Sequence, residues 1–438
     1  MSPAMGAAVS DIPQMEAPGP AWMDSPGTGY GRGGETPRSW GGLGRPLKVC
    51  VISPLGYGLY RPDLGRPFGG AELQLYWLAT SLAQNPACAV TVLTTVERDP
   101  GEEQYGPLRL IKRQAGKRVG GAPGAEPVGW LTALRGYGSA YVEMRRLFRA
   151  IDADLYIHAG SGAEVGVYAW LCRRLNTRFV FVVASTADVD RSCGTATGPF
   201  RWLSPLGIRW ADAVVCRTQD QQRLLGQRFG RDGVLIRTGH PLPSAQHAAR
   251  STQHSKSSVL WIGRLHPVKQ PERFLDLVER MPDHPCVMIG MRDPAHVELT
   301  RAVERRAVRL RNLTLIQDLP RERVEDYLRA TKVLVNTSVY EGFSNTFVQA
   351  AMLGVPVCSL TVDPDGLLTR RVLGLCAGGS GTLLTASVQS LLVSDRQRRE
   401  IGRRAMAHAL SHHDLRRMTA EFTMLAHQLV PGGQEARR

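Results

Sequence analysis

The stretch from Glu341 to Gln349 carries the side chains best suited to chemistry in this sequence. The carboxylate of Glu341 can accept hydrogen bonds from sugar hydroxyls, and Gly342 lets another group approach the backbone closely. Ser344 is a residue type that favours the start of a helix, where free backbone amides attract an anion. Gln349 lies one helical turn further and can both donate and accept. The sequence therefore predicts a site for a phosphorylated sugar, and the alternative that Glu341 and Ser344 only cap the helix stays open.

These side chains follow one predicted strand and begin one predicted helix. Residues 333–335 are a β-branched, apolar run that is typical of a buried parallel strand. The pattern over residues 345–353 predicts a short helix, which Gly354 and Pro356 end before a further strand. Open α/β sheets bind ligands at the loops that follow the carboxyl ends of their strands. We therefore expect the loop before this helix to line a ligand cleft.

A second charged pair follows another predicted strand. Arg264 ends the apolar run at residues 259–264, and Lys269 comes shortly after it in a loop. A guanidinium and an ammonium at one strand end can clamp a diphosphate, although a solvated surface pair is the alternative. His158 ends the run at residues 154–159 and faces the expected cleft, but a lone histidine is more often structural.

The first of these stretches resembles the Glu-x7-Glu signature of the family-4 glycosyltransferases, which are retaining enzymes of the GT-B fold. The resemblance rests on Glu341, Gly342, Phe343, Ser344, Asn345 and Gln349, followed by Ala-Ala-Met-Leu-Gly-Val-Pro-Val. It implies that Glu341 contacts the donor sugar and that the other residues of this set bind the donor. Gln349 stands where the family has a second glutamate, which grips the ribose hydroxyls. Because glutamine still hydrogen-bonds but lacks the charge, we expect an altered nucleotide contact and not a loss of activity.

Further motifs extend the resemblance to both halves of the chain. The run from Gly263 to Lys269 is similar to the family's GRLxxxK motif, which implies that Arg264 and Lys269 bind the donor diphosphate. Gly69 and Gly70 resemble the family's GGxE turn, which brings the backbone against the donor phosphates and the acceptor. The position of His158 is similar to that of the family's histidine near the donor sugar.

The bulk composition is that of a globular protein with an excess of positive charge. The chain has 438 residues, 43% of them hydrophobic, and a formal net charge of +15. This length suffices for two cores, and the charge favours an anionic partner. We expect no nucleic-acid partner, because the sequence shows no helix-turn-helix, zinc-finger or stacking-aromatic pattern. Eight cysteines occur without a CxxC pair, which predicts reduced core residues in a reducing compartment.

Strands and helices alternate along most of the chain, which predicts an α/β protein with doubly wound parallel sheets. Residues 1–45 are rich in Gly, Pro and Ser and are predicted to form a disordered tail. A polar, proline-containing stretch predicts a linker between a domain at 46–240 and a domain at 258–410. The glycines after the first predicted strand make no GxGxxG turn, which disfavours a dinucleotide-binding enzyme.

The family resemblance runs from about residue 48 to about residue 430 and gives these domains a specific arrangement. It implies the GT-B fold, in which two Rossmann-like, doubly wound domains face each other across a cleft. The first domain would receive the acceptor and the second the nucleotide sugar. A helix at 411–430 is implied to pack back against the first domain.

A basic and aromatic stretch that includes Arg145, Arg146 and Arg149 has two interpretations. One is a solvated helix face, and the other is a surface that docks on anionic lipids and presents a lipid-linked acceptor. No apolar run approaches the roughly 20 residues of a membrane-spanning helix. The N-terminus also lacks the pattern of a secretory signal. We therefore expect a cytoplasmic protein, with peripheral binding to the inner face of the membrane as a further hypothesis.

The resulting hypothesis is a retaining glycosyltransferase of the hexosyltransferase class. It would move a sugar from a nucleoside-diphosphate sugar to a glycan or lipid-linked acceptor, in cell-surface or exopolysaccharide synthesis, without a cofactor. Asp188 and Asp190 match a metal-binding DxD pattern, but the resemblance implies that basic residues and helix amides replace the metal. The alternatives are a non-catalytic nucleotide-sugar-binding protein and an epimerase or phosphorylase of the same fold. The donor base, the sugar and the acceptor stay open.

Overall fold

The computed structural model describes residues 45–66, 68–115, 130–190, 202–243 and 259–431. Of residues 130–137, 139 and 140 it describes the backbone alone. All but the end of the predicted disordered tail, and most of the predicted linker, lie outside the described residues. Within them the chain builds two α/β sheets, one on each side of the 244–258 gap.

The first sheet has eight strands in the order β3-β4-β2-β1-β5-β6-β7-β8. Its strands are β1 Leu47–Ile52, β2 Cys88–Val96, β3 Gly101–Tyr105, β4 Leu108–Gln114, β5 Leu155–Ala159, β6 Arg178–Val182, β7 Ala213–Cys216 and β8 Val234–Leu235. All neighbours are parallel except β3 and β4, which are antiparallel. The predicted doubly wound parallel sheet is confirmed, with one antiparallel pair added at this edge. The turn of Gly106 and Pro107 is too short for a crossover, and Gly106 supplies the positive φ of 52°.

The helices of the first domain lie on both faces of this sheet. They are α1 Tyr57–Tyr60, α2 Gly70–Leu82, α3 Trp130–Ile151, α4 Ala163–Leu175, α5 Leu203–Trp210 and α6 Gln219–Phe229. Alternate residues of β1 enter different cores: Val49 and Val51 pack on one face, Cys50 and Ile52 on the other. A strand buried on both faces reads as a continuous apolar run, which is the pattern in the sequence.

The second sheet has six parallel strands in the order β11-β10-β9-β12-β13-β14. Its strands are β9 Val259–Arg264, β10 Cys286–Met291, β11 Leu313–Gln317, β12 Val333–Asn336, β13 Val357–Ser359 and β14 Gly374–Cys376. Its helices are α7 Pro271–Glu279, α8 Val297–Ala307, α9 Arg321–Ala330, α10 Asn345–Met352, α11 Gly381–Val393 and α12 Asp395–His412. The strand order reverses between β9 and β12, and such switch points open a ligand crevice at the carboxyl ends of the strands.

A last helix, α13 Leu415–Leu429, returns to the first domain. Its residues Met418 and Phe422 belong to the same apolar core as Leu47 and Leu155 of the first sheet. The chain crosses between the domains twice, and the two crossings pair as a short parallel bridge. His240 N donates to the carbonyl of the residue before Asp414 at 2.8 Å, and His240 O accepts from the residue after it at 2.9 Å.

Helix α3 buries one side and exposes a basic side. Met144, Phe148 and Ile151 are buried, whereas Arg145 and Arg146 are exposed. The apolar positions recur at helical spacing, so the arginines are left on the outer face. Among the described residues, no helix combines the length and the apolar character that a membrane crossing needs.

Candidate functional site

A lysine and a glutamate pair at the switch point, where β9 and β12 end. Lys269 Nζ lies 2.5 Å from Glu341 Oε1. Lys269 ends a 3₁₀ turn at Pro267–Lys269, which begins where His266 Nδ1 accepts the N–H of Val268 at 3.1 Å. The lysine and glutamate side chains are 29% and 12% exposed, so solvent screens the pair only in part.

The carboxylate of Glu341 is held through one of its oxygens. Oε1 accepts the hydroxyl of Ser338 at 2.7 Å and Asn336 Nδ2 at 3.4 Å, in addition to the Lys269 ammonium. None of the described residues donates to Oε2, which therefore remains available to a sugar hydroxyl. Sequence reasoning missed Asn336 and Ser338. The signal that could have found them is a polar run directly after a buried strand.

Thr337 fixes the spacing of the loops that supply the pair. Its hydroxyl donates to the carbonyl of Lys269 at 2.7 Å and accepts the indole N–H of Trp261 at 2.9 Å. Val339 N donates to Val268 O at 2.9 Å, which adds a backbone contact between the same loops. Trp261 is buried in the apolar core of the second domain. The core therefore sets the position of both charged residues.

Arg264 extends from the end of β9 towards the first domain. Its Nη2 donates to the carbonyl oxygen of Phe68 at 3.1 Å. A Cβ on Gly69 would lie 3.3 Å from that nitrogen, and a Cβ on Gly70 would lie 3.0 Å from Asn345 Nδ2. The two glycines thus permit close approach by the second domain. Within the described part of the chain no carboxylate pairs with Arg264, so its charge stays available to an anionic ligand.

The side chain of Asn345, the first residue of α10, joins the two domains. Its Oδ1 accepts from Gln74 Nε2 at 2.9 Å, and its Nδ2 donates to Gly70 O at 3.1 Å. His240 Nε2 lies 3.3 Å from the same Oδ1. Burial, together with the nearby His413, lowers the pKa of His240 to about 3, so its ring is neutral. The structure places the Asn345 side chain in this interdomain contact, whereas the sequence analysis expected it to bind the nucleotide-sugar substrate.

Gly342 and Phe343 also contact groups outside their own loop. A Cβ on Gly342 would collide with the carbonyl oxygen of Ala184 in the first domain. The ring of Phe343 lies 4.6 Å from the ring of His413, at the second chain crossing. The loop that carries Glu341 is therefore packed from both sides of the cleft.

Ser344 occupies the N-cap position of α10, as predicted, but its hydroxyl does not cap the helix. It lies 2.9 Å from the hydroxyl of Thr346 instead. Among the described residues, no group accepts from the backbone N–H of Asn345 or Thr346. Free amides at a helix start carry partial positive charge, so this end of α10 suits an anion.

His158 and Gln349 are the two remaining residues that the sequence predicts for the site. His158 is 4% exposed, and its Nδ1 lies 3.0 Å from the carbonyl oxygen of Ile52. A carbonyl can only accept, so Nδ1 carries a proton; Nε2 accepts a hydrogen bond only when the ring has no second proton. Gln349 is half-buried on α10, and its side chain has no hydrogen-bond partner in the described ranges.

The described residues contain one group with the composition of a metal site. Ligand atoms of His266, Asp293 and His296 lie within 4.8 Å of one another. Burial lowers the pKa of His266, which favours its neutral ring. In that ring Nδ1 accepts the N–H of Val268, so Nε2 carries the proton and lacks the lone pair that a metal needs. The group therefore does not fit a metal as it is arranged.

Two family descriptions match the chain, one in each domain. Residues 69–238 match the Glycosyl transferase 4-like domain. Residues 256–392 match Glycosyl transferases group 1. The second range contains both the charged end of β9 and the loop of Glu341.

Curated relatives and solved structures are similar over most of the chain. The D-inositol 3-phosphate glycosyltransferase of Nocardia farcinica is 28% identical over 400 residues, which cover 83% of this chain and 86% of that protein. The sucrose-phosphate synthase of Thermosynechococcus elongatus has a TM-score of 0.69 at 18% identity, covering 87% and 99% of the two chains. Anabaena Alr3699/HepE in complex with UDP-glucose has a TM-score of 0.64 at 16% identity, covering 87% and 100%. These likenesses confirm the predicted GT-B fold.

Proposed function

The chain belongs to the group 1 glycosyltransferases of the GT-B fold, and we propose that it transfers a hexose from a nucleoside-diphosphate sugar with retention of configuration. The observation that carries this proposal is the cluster of Lys269, Glu341 and Arg264 at the switch point of the second sheet. Two cations and the amides of α10 surround the place where a diphosphate would leave. The proposal requires no metal and no resident cofactor.

Donor binding would rearrange the lysine–glutamate pair. A diphosphate carries more charge than one carboxylate, so its oxygens compete with Glu341 for the Lys269 ammonium. Glu341, still held by Ser338, is then free to orient a sugar hydroxyl through Oε2. Arg264 exchanges its carbonyl partner for a phosphate oxygen. Charge grows on the diphosphate as the sugar departs, so preorganised cations and amides at this place lower the barrier.

The transfer step keeps both reacting groups on one face of the sugar. The acceptor hydroxyl oxygen bonds to the anomeric carbon while the bond from that carbon to the diphosphate oxygen breaks. The electron pair stays on the diphosphate, which takes the proton of the acceptor hydroxyl. Glu341 suits an orienting role because Oε1 keeps Ser338 and Asn336 as donors after the lysine is released, which weakens a carboxylate as a nucleophile. His158 would accept a hydrogen bond from a sugar hydroxyl through Nε2.

We propose that the donor is a UDP-sugar, so that its base is uracil. Alr3699/HepE was solved with UDP-glucose, and an Escherichia coli structure of the same fold was solved with UDP-2-fluoro glucose. In this chain Gln349 would hydrogen-bond the ribose through its amide. Since glutamine lacks charge, that contact would be weaker than one made by a carboxylate.

For the acceptor we propose a glycan or lipid-linked sugar of cell-surface or exopolysaccharide synthesis. The exposed arginines of α3 support this choice, because they would hold the first domain against an anionic membrane. A second candidate is a phosphorylated cyclitol. It is favoured by the names of the relatives, which are D-inositol 3-phosphate glycosyltransferases in Nocardia farcinica and Rhodococcus erythropolis.

A donor and acceptor panel tests this proposal. Release of the nucleoside diphosphate is measured with UDP-, GDP- and ADP-hexoses, each with D-inositol 3-phosphate or with a lipid-linked sugar in anionic vesicles. We expect turnover with a UDP-hexose and one acceptor class, with the anomeric configuration retained by NMR. An inverted product would overturn the mechanism. Donor binding by thermal shift without any turnover would favour the non-catalytic binding protein instead.

A further inference from the structure

The carboxylate of Asp188, which matches a metal-ligand motif in the sequence, is fully engaged by the protein. Its Oδ1 accepts the N–H and the hydroxyl of Ser161, at 3.2 and 2.7 Å. Its Oδ2 accepts the N–H groups of Ala184 and Ser185, at 2.8 and 2.9 Å. These donors occupy the lone-pair positions of the carboxylate. The Asp188 carboxylate therefore stabilises loops of the protein and has no lone pair left for a metal ion.

These bonds fix the loop after β6 and join it to the loop after β5. Thr186–Asp188 forms a 3₁₀ turn, in which Ser185 Oγ accepts the N–H of Ala187 at 3.3 Å. Asp188 N donates to Ser185 O at 3.0 Å, which closes the turn. Ser161 lies just beyond β5, so the carboxylate bridges two neighbouring strand ends. Thr186 is thereby held in one place at the edge of the cleft.

Thr186 contacts the backbone of the loop that carries Glu341. Its N–H and its hydroxyl both donate to the carbonyl oxygen of Glu341, at 3.3 and 2.8 Å. Beside this contact, Ala184 O lies against Gly342 with no room for a side chain. The first domain thus holds the backbone of Glu341, while Lys269 and other residues of the second domain hold its carboxylate.

We infer that Thr186 and Asp188 are positioning residues for Glu341. Asp188 fixes the turn, the turn presents Thr186, and Thr186 holds the Glu341 carbonyl when the domains are closed. The carboxylate reaches its donor-binding orientation only in that arrangement. The inference deepens the proposed function, since it rests on the role of Glu341 in orienting the donor. It also gives Asp188 of the DxD-like motif a structural role, because the turn that it fixes contacts the second domain.

Four variants test this inference by two independent readouts. Thr186→Val removes the hydroxyl and keeps the branched shape, whereas Thr186→Ser restores the hydroxyl. Asp188→Asn removes acceptor capacity from the turn. Asp190→Asn is the matched control on the same loop, where the native side chain lies 3.7 Å from Arg228. The readouts are amide exchange of the peptide 339–344 by mass spectrometry, and the kcat and KM for the UDP-hexose.

We expect faster exchange of peptide 339–344 and a lower kcat in the Thr186→Val and Asp188→Asn variants. Each change is expected to be about five- to tenfold, as for the loss of one hydrogen bond, with UDP affinity nearly unchanged. Thr186→Ser and Asp190→Asn should behave like the wild type. If Asp188→Asn fails to fold, Thr186→Val decides the question.

Two outcomes would overturn the inference. One is unchanged exchange of peptide 339–344 in Thr186→Val, and the other is faster exchange with an unchanged kcat. If no protein, wild type included, transfers a sugar, the proposed function fails on its own. Exchange then still reports on the contact: acceleration in Thr186→Val supports it, and no acceleration overturns it.

Discussion

Lys269 and Glu341 neutralise each other across 2.5 Å, although 72 residues separate them in the chain. Arg264, at the end of β9, makes a hydrogen bond only to the carbonyl oxygen of Phe68 among the described residues. The site therefore carries one charge that is compensated and one that is not. An arriving diphosphate can use both, because the lysine is released as the glutamate turns to the sugar.

Lys269→Ala should lower kcat/KM for the donor by a factor of about 100 to 1,000, as expected when a preorganised cation facing developing charge is lost. The variant also leaves Glu341 without its charged partner. The rate of UDP release measures the effect. Lys332→Ala, which removes an exposed lysine of the same domain, is the matched control. Activity of Lys269→Ala close to that of this control would contradict the assignment.

Gln349→Glu should strengthen UDP binding about fivefold, because a hydrogen bond to a charged acceptor contributes about 1 kcal/mol more than a neutral one. Gln349→Ala should weaken binding through the loss of the amide. Calorimetric titration of all three proteins with UDP gives the affinities. Equal affinities in the three proteins would show that this position does not reach the nucleotide.

Gly342→Ala should lower kcat about 5- to 150-fold, since strain from overpacking commonly costs about 1–3 kcal/mol and here opposes closure. UDP affinity should change little, because the second domain alone supplies the proposed nucleotide contacts. Gly226→Ala is the control, as its added Cβ would meet only Arg231 O at 3.9 Å. A Gly342→Ala enzyme with wild-type kcat would mean that this loop does not meet Ala184 during turnover.

Acid should destabilise the protein through its buried histidines. Burial lowers the pKa of His240 to about 3, whereas the unfolded residue takes a proton near pH ~6.5. Its stabilising contribution is therefore present above that unfolded pKa and is lost as the pH falls towards 3. Between pH ~6.5 and ~5, before most carboxylates titrate, the slope from one such proton rises from about 0.7 to about 1.3 kcal/mol per pH unit.

His240→Gln should reduce the measured slope by that amount. The free energy of unfolding is obtained from urea titrations at several pH values in this window. His413, whose pKa burial likewise lowers to about 3, would keep a similar slope in the variant. An identical pH dependence in wild type and His240→Gln would mean that His240 is not buried as a neutral ring.

Charge reversal at Arg145 and Arg146 should weaken binding to anionic vesicles. Each basic residue near such a surface contributes about 1 kcal/mol, so reversing two charges should reduce affinity by a factor of about 30 or more. Co-sedimentation with phosphatidylserine-containing vesicles at low salt measures this. The double reversal of Arg396 and Arg399, exposed on α12, is the control. No sedimentation of the wild type at low salt would remove the membrane hypothesis.

Local patterns were sufficient for the elements around the site. The helix predicted at 345–353 is found at Asn345–Met352, because its start and stop signals are adjacent residues. The neighbouring strand β8 is short, since only Val234–Leu235 pairs with β7. After that point the chain leaves the sheet for the domain crossing, where Thr238 O accepts from His413 Nδ1 at 2.8 Å.

Contacts between distant residues could not be predicted in this way. The hydroxyl of Thr186 and the carbonyl of Glu341 are 155 residues apart, and their meeting depends on how the two domains face each other. That orientation is set by the two crossings, which leave no periodic signal, and by the packing of α13, whose apolar period predicts a helix but not its partner. The residue types at the site were readable from sequence, but their partners were not.

The return of α13 to the first domain has a consequence for biosynthesis. Ribosomes make residues 415–429 only after the entire second domain. One face of the first sheet therefore stays partly uncovered until Met418 and Phe422 have been synthesised. Until then an apolar groove beside Leu47 and Leu155 is open to solvent and to chaperones. A chain stopped at His412 should accordingly be cut by protease in its first half well before its second.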